Sequence, residues 1–120
     1  MTTLKNVWIL GGTGYIGRAL VSVLSEMPGI RLNLLIHTQT PFKYLEHANV
    51  FTGSLQSFDL NWLKRYPPSV IFHMARLAGS SLVMRYFRST TGARSNRRLL
   101  NFLHTENLKP VIVYVSGSLM

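Results

Sequence analysis

Residues 9–20 read ILGGTGYIGRAL, with four glycines between an apolar run and a helical pattern. Glycine lowers the stability of a helix, so a cluster of glycines at a helix start indicates a need for bare backbone. Gly11, Gly14 and Gly17 have the spacing G-x-x-G-x-x-G, after a predicted strand and at the opening of a predicted helix. In that context the spacing predicts a turn that holds the pyrophosphate of a dinucleotide at the amino end of the helix.

Each of these glycines has a separate expected task. Gly11 would permit the tight turn after the strand, Gly14 the approach of a pyrophosphate, and Gly17 close packing of the helix on the sheet. A P-loop would need Gly-Lys-Ser or Gly-Lys-Thr, whereas residues 17–19 are Gly-Arg-Ala. A membrane glycine motif would need a surrounding apolar span, which this segment lacks. A purely structural glycine turn is the remaining alternative.

The rest of the chain alternates short apolar runs with helical patterns. Continuous apolar runs are typical of strands buried on both faces, which are parallel and joined by crossover helices. We therefore expect one α/β domain over residues 1–120, a Rossmann-like doubly wound parallel sheet of about five strands. The predicted strands are Lys5–Leu10, Ile30–Ile36, Val50–Phe51, Ser69–Met74 and Val111–Val115, and the predicted helices lie at 16–27, 59–66 and about 80–107.

The composition argues against several classes of protein. The chain has no cysteine, which excludes disulfides, thiolate catalysis and cysteine-ligated metals. Its four histidines stand on different predicted elements without ligand spacing, so we expect no metal site. No apolar run approaches the roughly 20 residues that span a bilayer, and the first residues lack a signal-peptide core. A cytoplasmic protein without membrane contact is therefore expected.

The net charge of +9 is concentrated in one segment: residues 76–98 contain six arginines and no acidic residue. A solvated helix face is the simpler interpretation. The alternative is a non-catalytic regulatory or interaction module that binds an acidic partner through these arginines. Nucleic acid is not favoured, because no pattern of base-stacking aromatic residues accompanies them. The six residues are Arg76, Arg85, Arg88, Arg94, Arg97 and Arg98.

Four segments, in this order, resemble the extended short-chain dehydrogenase/reductase proteins, the NAD(P)-dependent epimerase/dehydratase family. The opening VWILGGTGYIGRALVSVL (7–24) resembles the family's first strand, glycine loop and helix. The segment FTGSL (51–55) is similar to its Gly-Asp-Leu after the third strand, and VIFHMARLAG (70–79) to its strand ending in His-Leu-Ala-Ala. The segment VIVYVSGS (111–118) resembles its fifth strand running into the catalytic Ser/Thr. The resemblance covers essentially the whole chain.

The resemblance implies a nicotinamide dinucleotide as cofactor, and this sequence departs from the family pattern at two places on the adenosine side. It also departs at Arg76, where the family commonly has alanine, and around residues 92–96, where its asparagine and Gly-Thr have no clean match. Residues 36–38 are Ile-His-Thr, where the family usually has an acid that binds the adenosine ribose. A 2′-phosphate is better tolerated there and His37 or Lys43 could approach it, which favours NADP over NAD slightly. Ser54 replaces the family's adenine-contacting aspartate. The implied cofactor-binding residues are Gly11, Gly14, Tyr15, Ile16, Gly17, His37, Ser54, Leu55, Met74, Ala75 and Arg76.

Catalysis in the family resembles a proton relay, in which a tyrosine is the acid/base and a lysine four residues later lowers its pKa. Ser116 and Ser118 follow the fifth strand where the family has a substrate-orienting Ser/Thr, and strand register favours Ser118. No Tyr-x-x-x-Lys occurs in the 120 residues. We therefore expect the N-terminal part of a longer enzyme, truncated after the fifth strand, or a product that binds a nucleotide at most. A small-molecule substrate would then be bound only by a longer form.

Overall fold

The computed structural model describes residues 4–11, 15–36, 48–54, 57–74 and 90–115. Within these ranges, the strands and helices follow one another in the order that the sequence pattern predicts. The strands are β1 (Lys5–Leu10), β2 (Ile30–Ile36), β3 (Ala48–Thr52), β4 (Pro68–Met74) and β5 (Val111–Val115). The helices are α1 (Tyr15–Ser25), α2 (Asn61–Arg65) and α3 (Thr90–Thr105).

The five strands form one sheet in the order β3-β2-β1-β4-β5, and every neighbouring pair is parallel. The strands near the centre are deeply buried: the last four residues of β1 and the last five of β2 have buried side chains. Such strands need cover on both faces, which crossover helices provide. The predicted doubly wound parallel sheet is therefore confirmed.

One face of the sheet packs against α1. Val21 and Leu24 of the helix lie one turn apart and contact alternate residues of β1 and β2. This face ends at the carboxyl end of β4, where Met74 joins the same core. The buried side chains of this cluster are Val7, Ile9, Val21, Leu24, Leu32, Leu34, Ile36 and Met74.

The opposite face packs against α2 and α3 and is rich in aromatic rings. Trp8 is fully buried, and its Nε1 donates to the carbonyl oxygen of Tyr66 at 2.8 Å. Phe51 stands between the two tryptophans, with ring centroids 5.1 Å from Trp8 and 4.7 Å from Trp62. The buried side chains of this cluster are Trp8, Leu10, Leu35, Phe58, Leu63, Ile71, Leu99 and Leu103.

Three asparagines cross the sheet on the aromatic face and form what we call the asparagine chain (Asn6, Asn33 and Asn49). The Asn49 side-chain amide donates to Asn33 Oδ1 at 2.8 Å, and Asn33 Nδ2 donates to Asn6 Oδ1 at 3.3 Å. Asn6 Nδ2 continues the chain to the carbonyl oxygen of Pro67, at 3.3 Å. Asn33 has no exposed surface. The chain of amides therefore links β1, β2 and β3 and reaches the residue before β4.

Two details concern single residues of these elements. Helix α2 begins at Asn61 with Leu60 as its N-cap residue, and the Asp59 carboxylate accepts a hydrogen bond from the Asn61 amide at 2.9 Å. Tyr114 is 44% exposed although β5 is apolar, because β5 is the last described strand on its side of the sheet. None of the described helices is long and apolar enough to cross a membrane.

Candidate functional site

The strand order reverses at β1. Strands β2 and β3 lie on one side of it, and β4 and β5 lie on the other. The helices change face with the strand order, because α1 packs on one face and α3 on the other. In open parallel sheets, ligands bind outside the carboxyl ends of the strands at such a reversal. The candidate site is therefore the edge of the sheet at the carboxyl ends of β1, β2, β3 and β4.

Gly11 occupies the point where three of these strands meet. Its amide donates to the carbonyl oxygen of Leu35 in β2 at 2.8 Å. Its φ of +81° lies in the left-handed region, which side chains with a Cβ rarely adopt. A Cβ at this position would stand 2.7 Å from the carbonyl oxygen of Met74 in β4. Both the backbone angle and the lack of space therefore require glycine here.

Helix α1 begins four residues after Gly11, at Tyr15, and Gly17 lies within its first turn. The first amides of a helix have no partner inside the helix and carry a partial positive charge. The first turn of α1 contains no acidic residue that would neutralise it. The amino end of α1 therefore has the polarity that attracts an anion, and the chain enters it from the carboxyl edge of the sheet.

Ser54 stands at the carboxyl end of β3, in a segment that is tied down at several points. The amide of Gly53 donates to the carbonyl oxygen of Ile36 at 2.9 Å. The amides of Ser57 and Phe58 both donate to the carbonyl oxygen of Ser54, at 3.2 and 2.9 Å. The hydroxyls of Ser54 and Ser57 lie 2.7 Å apart and share a hydrogen bond. The predicted site residue Ser54 is thus held in a defined turn.

Arg98 of α3 reaches the same turn, which the sequence did not indicate. Its Nη2 donates to the carbonyl oxygen of Phe58 at 2.7 Å, and the guanidinium carbon lies 5.6 Å from the centre of the Phe58 ring. The expected solvated face is correct for Arg94 and Arg97, which are exposed, but wrong for Arg98, which is partly buried. Helical spacing could have revealed this burial, since Arg98 lies three residues after the buried Ser95 and four residues before Phe102, which packs on the core.

The other side of the edge, near the ends of β4 and β5, carries a buried histidine. His73 is 2% exposed, and its ring lies 5.2 Å from that of Tyr114. Burial lowers the pKa of His73 below its usual 6.5 because the charged imidazolium would lose its hydration; a backbone hydrogen bond opposes this. The Tyr114 hydroxyl donates to Asn96 Oδ1 at 2.8 Å. His73 is therefore packed inside the fold, beside the ring of Tyr114.

The structure brings part of the predicted site together. Gly11, Ser54 and Met74 stand at the carboxyl edge, and the backbone of Tyr15, Ile16 and Gly17 forms the start of α1. No group of three or more His, Asp or Glu residues capable of holding a metal occurs in the described ranges. The other predicted site residues lie outside the described residues: Gly14, His37, Leu55, Ala75, Arg76, Ser116 and Ser118.

Comparison with protein families agrees with this geometry. Residues 7–120 match the model of the NAD dependent epimerase/dehydratase family. The chain belongs to this family. No curated protein matches the chain significantly. The resemblance inferred from the glycine loop and the three later segments is therefore confirmed.

Solved structures of several enzymes share the fold of this epimerase/dehydratase chain. The UDP-glucose 4-epimerase of Brucella ovis, solved with NAD, has a TM-score of 0.67 and 18% identity over 92% of this chain. A wide-type short-chain dehydrogenase/reductase of Veillonella parvula, solved with NADP, has a TM-score of 0.62 and 21% identity over 93%. The ADP-L-glycero-D-manno-heptose-6-epimerase of Helicobacter pylori has a TM-score of 0.64 and 21% identity over 94%. The chain spans 35%, 47% and 39% of these three proteins, respectively.

Proposed function

We propose that this member of the epimerase/dehydratase family binds a nicotinamide dinucleotide, NAD or NADP, at the carboxyl edge of its sheet. The observation that carries the proposal is Gly11, where β1, β2 and β4 meet with no room for a side chain. Two fold relatives support it, since the Brucella ovis epimerase was solved with NAD and the Veillonella parvula reductase with NADP.

The residues present fit such a ligand. A diphosphate needs donors and positive polarity without bulky side chains, and the turn from Gly11 to the amino end of α1 offers both. Residues 12–14 are Gly-Thr-Gly, so the segment between Gly11 and α1 has no large side chain that would keep a diphosphate away from the backbone. We assign the diphosphate to this turn, with backbone contacts from Tyr15, Ile16 and Gly17.

The two halves of the dinucleotide would lie on opposite sides of β1. In sheets of this strand order the ribose-binding residue follows β2, so the adenosine half lies on the side of β2 and β3. We assign that half to His37, Ser54 and Leu55. The nicotinamide half would then lie over β4, along Met74, Ala75 and Arg76. The list of cofactor-binding residues is thereby the one that the family resemblance implies.

NADP is slightly favoured over NAD. The residues directly after β2, His37 to Leu45, contain no carboxylate that would repel a 2′-phosphate; the acid of the segment between β2 and β3 is Glu46, near its end. His37 and Lys43 are basic or potentially basic groups in that segment. A ribose diol, in contrast, is usually bound by an acid at this place. Parallel titrations with NADH and NADPH test this preference, and tighter binding of NADH would contradict it.

Binding without turnover is the expected activity of the 120-residue chain by itself. When bound, the dinucleotide supplies a hydride donor or acceptor at its nicotinamide ring. Ser116 and Ser118 would orient a substrate oxygen, but the acid/base pair Tyr-x-x-x-Lys does not occur in the sequence. We infer that an epimerase, dehydratase or reductase reaction requires that pair from a longer form of the protein.

The binding proposal is tested by fluorescence titration of the purified chain with NADH and NADPH. Gly14→Val should weaken binding by tenfold or more, since a branched side chain would fill the space for the diphosphate. Ala19→Val is the matched control because it adds a branched side chain at an exposed position of α1, outside the glycine loop. Equal titration of wild type and Gly14→Val would contradict the proposal, as would loss of binding in the control while its fold is intact.

A second function, binding of an acidic partner, is favoured by the exposure of Arg94 and Arg97 on α3. With His104 they place three basic or potentially basic groups on exposed positions of that helix. Counterion release would make such binding strongly dependent on salt. Heparin affinity at 50 and 300 mM salt, with Arg94→Gln/Arg97→Gln as the variant, tests it; retention that neither salt nor the variant changes would contradict it.

A further inference from the structure

We propose that Arg98 is a positioning residue for the adenosine half of the dinucleotide site, an inference that rests on the function proposed above. Arg98 lies on α3, a helix that follows β4 in the chain, whereas Ser54 follows β3. The two elements are far apart in sequence but meet at Phe58, 40 residues before Arg98. The contact therefore joins the helix of one half of the fold to the turn of the other.

The link from Arg98 to Ser54 consists of three measured contacts. Arg98 Nη2 donates to the carbonyl oxygen of Phe58 at 2.7 Å, and the guanidinium lies over the Phe58 ring at 5.6 Å. The Phe58 amide donates to the carbonyl oxygen of Ser54 at 2.9 Å. Phe58 also packs against Gly53, where a Cβ would lie 3.2 Å from the Phe58 Cβ. A shift of Phe58 would therefore move both residues at the end of β3.

The charge of Arg98 is used in this contact and not in an ion pair. In the described ranges no carboxylate lies within salt-bridge distance of its guanidinium; the ion pair found there joins Lys64 and Glu106 at 3.3 Å. Its Nη1 is buried and has no hydrogen-bond partner among the described residues. Burial of a guanidinium without an ion pair costs free energy, and one hydrogen bond to a carbonyl oxygen offsets only part of that cost. A function that needs the turn in one position would account for that cost.

The uncompensated charge would also act on the ligand. A guanidinium near the carboxyl edge, without a neighbouring acid, raises the electrostatic potential there and favours an anionic ligand. Arg98 would thus support the adenosine diphosphate part of the cofactor in two ways, through the position of Ser54 and through its field. In this proposal the nicotinamide part lies over β4 and contacts neither Ser54 nor Arg98.

The test separates this role from a general loss of stability by measuring the two halves of the cofactor apart. ADP-ribose carries the adenosine diphosphate part, and reduced nicotinamide mononucleotide carries the other. NMR titrations of the 15N-labelled chain measure both, including weak binding. Arg98→Met should weaken ADP-ribose binding about tenfold, the usual scale for loss of a charge-assisted contact. Binding of the mononucleotide should change by less than about twofold, since Arg98 does not support that half.

Two further variants complete the test. Arg97→Met makes the same change one residue earlier, at an exposed position, and should leave both ligands unaffected. Arg98→Lys keeps a donor and a charge and should recover part of the ADP-ribose affinity. It also serves if Arg98→Met does not fold. Hydrogen exchange of the Phe58 amide should be faster in Arg98→Lys than in Arg97→Met, because the turn is held less firmly.

The possible outcomes distinguish this inference from the function on which it rests. Wild type that binds neither ADP-ribose nor the dinucleotide would contradict the proposed function. Wild type that binds both, with Arg98 variants equal to Arg97→Met, would overturn the role of Arg98 alone. Equal weakening of both half-ligands by the Arg98 variants would also overturn it, since that result indicates a purely structural role.

Discussion

The carbonyl oxygen of Met74 lies 2.7 Å from the point where a Cβ on Gly11 would stand. The end of β4 therefore closes directly on the turn that leaves β1. The amide of Gly11 is also held by Leu35 in β2, so the turn is fixed from both sides. This junction of three backbones is the most constrained point that the structure describes at the candidate site.

Replacement of Gly11 by alanine is expected to destabilise the fold more than the same change at Gly29. Both residues have a φ near +80°, so both variants incur the cost of a left-handed backbone, about 1 kcal/mol. Only at Gly11 would the new Cβ also meet a backbone atom, which adds about 1–3 kcal/mol. Urea unfolding of the two variants measures the difference. Equal losses of stability would show that the junction can relax.

Replacement of Asn33 is expected to damage the asparagine chain in a manner that depends on pH. Asn33→Leu leaves the amide of Asn49 and the carbonyl of Asn6 without their partner, at a cost of about 1–3 kcal/mol. Asn33→Asp buries a carboxylate and should cost more at pH 7 than at pH 4, where the carboxyl is protonated. Urea unfolding at the two pH values, relative to wild type, measures both effects.

The matched control for the two Asn33 variants is a substitution at Asn101, which is exposed on α3. Asn101→Asp should change the free energy of unfolding by less than about 0.5 kcal/mol at either pH. A similarly small effect of Asn33→Asp would mean that water reaches the buried position and hydrates the charge.

His73 is expected to make the fold less stable in mild acid. Its pKa is lowered in the folded chain by burial, so below the usual value of 6.5 the unfolded chain binds the proton more readily. Stability is therefore fully present above pH 6.5 and falls as the pH decreases, by up to about 1.4 kcal/mol per pH unit for one proton. Denaturant unfolding between pH 7.5 and 5 measures the slope.

His73→Gln should remove that part of the pH dependence, whereas His104→Gln, at an exposed position, should leave it unchanged. If the slope below pH 6.5 persists in His73→Gln, another group causes it, and the burial of His73 has no consequence for acid stability.

The outer edge of β5 is expected to promote self-association of the 120-residue chain. No other described strand pairs with this edge, and Val111 and Val113 are 63% and 37% exposed. Unpaired edges with apolar side chains are templates for pairing with another chain, and a lysine there opposes it. Val111→Lys should therefore shift the chain toward monomer in analytical ultracentrifugation. Val23→Lys is the control, because Val23 is 60% exposed on a helix; an equal shift in both variants would implicate charge alone.

Much of the fold could be predicted from the sequence because its signals are local. The runs Ile30–Ile36 and Val111–Val115 are both strands with the predicted bounds; the second is apolar throughout, and the first is interrupted only by Arg31 and Asn33. Strand β3 (Ala48–Thr52) holds only two large apolar residues, and it is two residues longer at its start and one at its end than predicted. The length of β3 is set by its pairing with β2, from Ala48 opposite Leu32 to Thr52 opposite Ile36. The sequence of β3 alone does not contain that information.

The candidate site was predictable where it depends on backbone alone. Glycine spacing located Gly11, whose positive φ is a property of the local backbone; the lack of space there comes from the Met74 carbonyl on β4. Arg98 was not predictable in the same way, because its contact with Phe58 depends on how α3 packs on the sheet. The burial of Asn33 was not predictable from its own strand either. A side-chain amide can be buried there because its hydrogen-bond partners, Asn6 and Asn49, lie on the two neighbouring strands.

The asparagine chain has a consequence for how the sheet aligns. A parallel sheet of Val, Ile and Leu offers alternative alignments, because a slip of two residues returns every side chain to its original face. Such a slip would cost little in apolar contact, but it would move Asn33 away from amides that lie 27 and 16 residues distant in sequence. A misaligned sheet would then hold a buried amide that has lost its partners on the neighbouring strands. Three polar side chains thus give the correct alignment an energetic advantage that the surrounding hydrocarbon cannot provide.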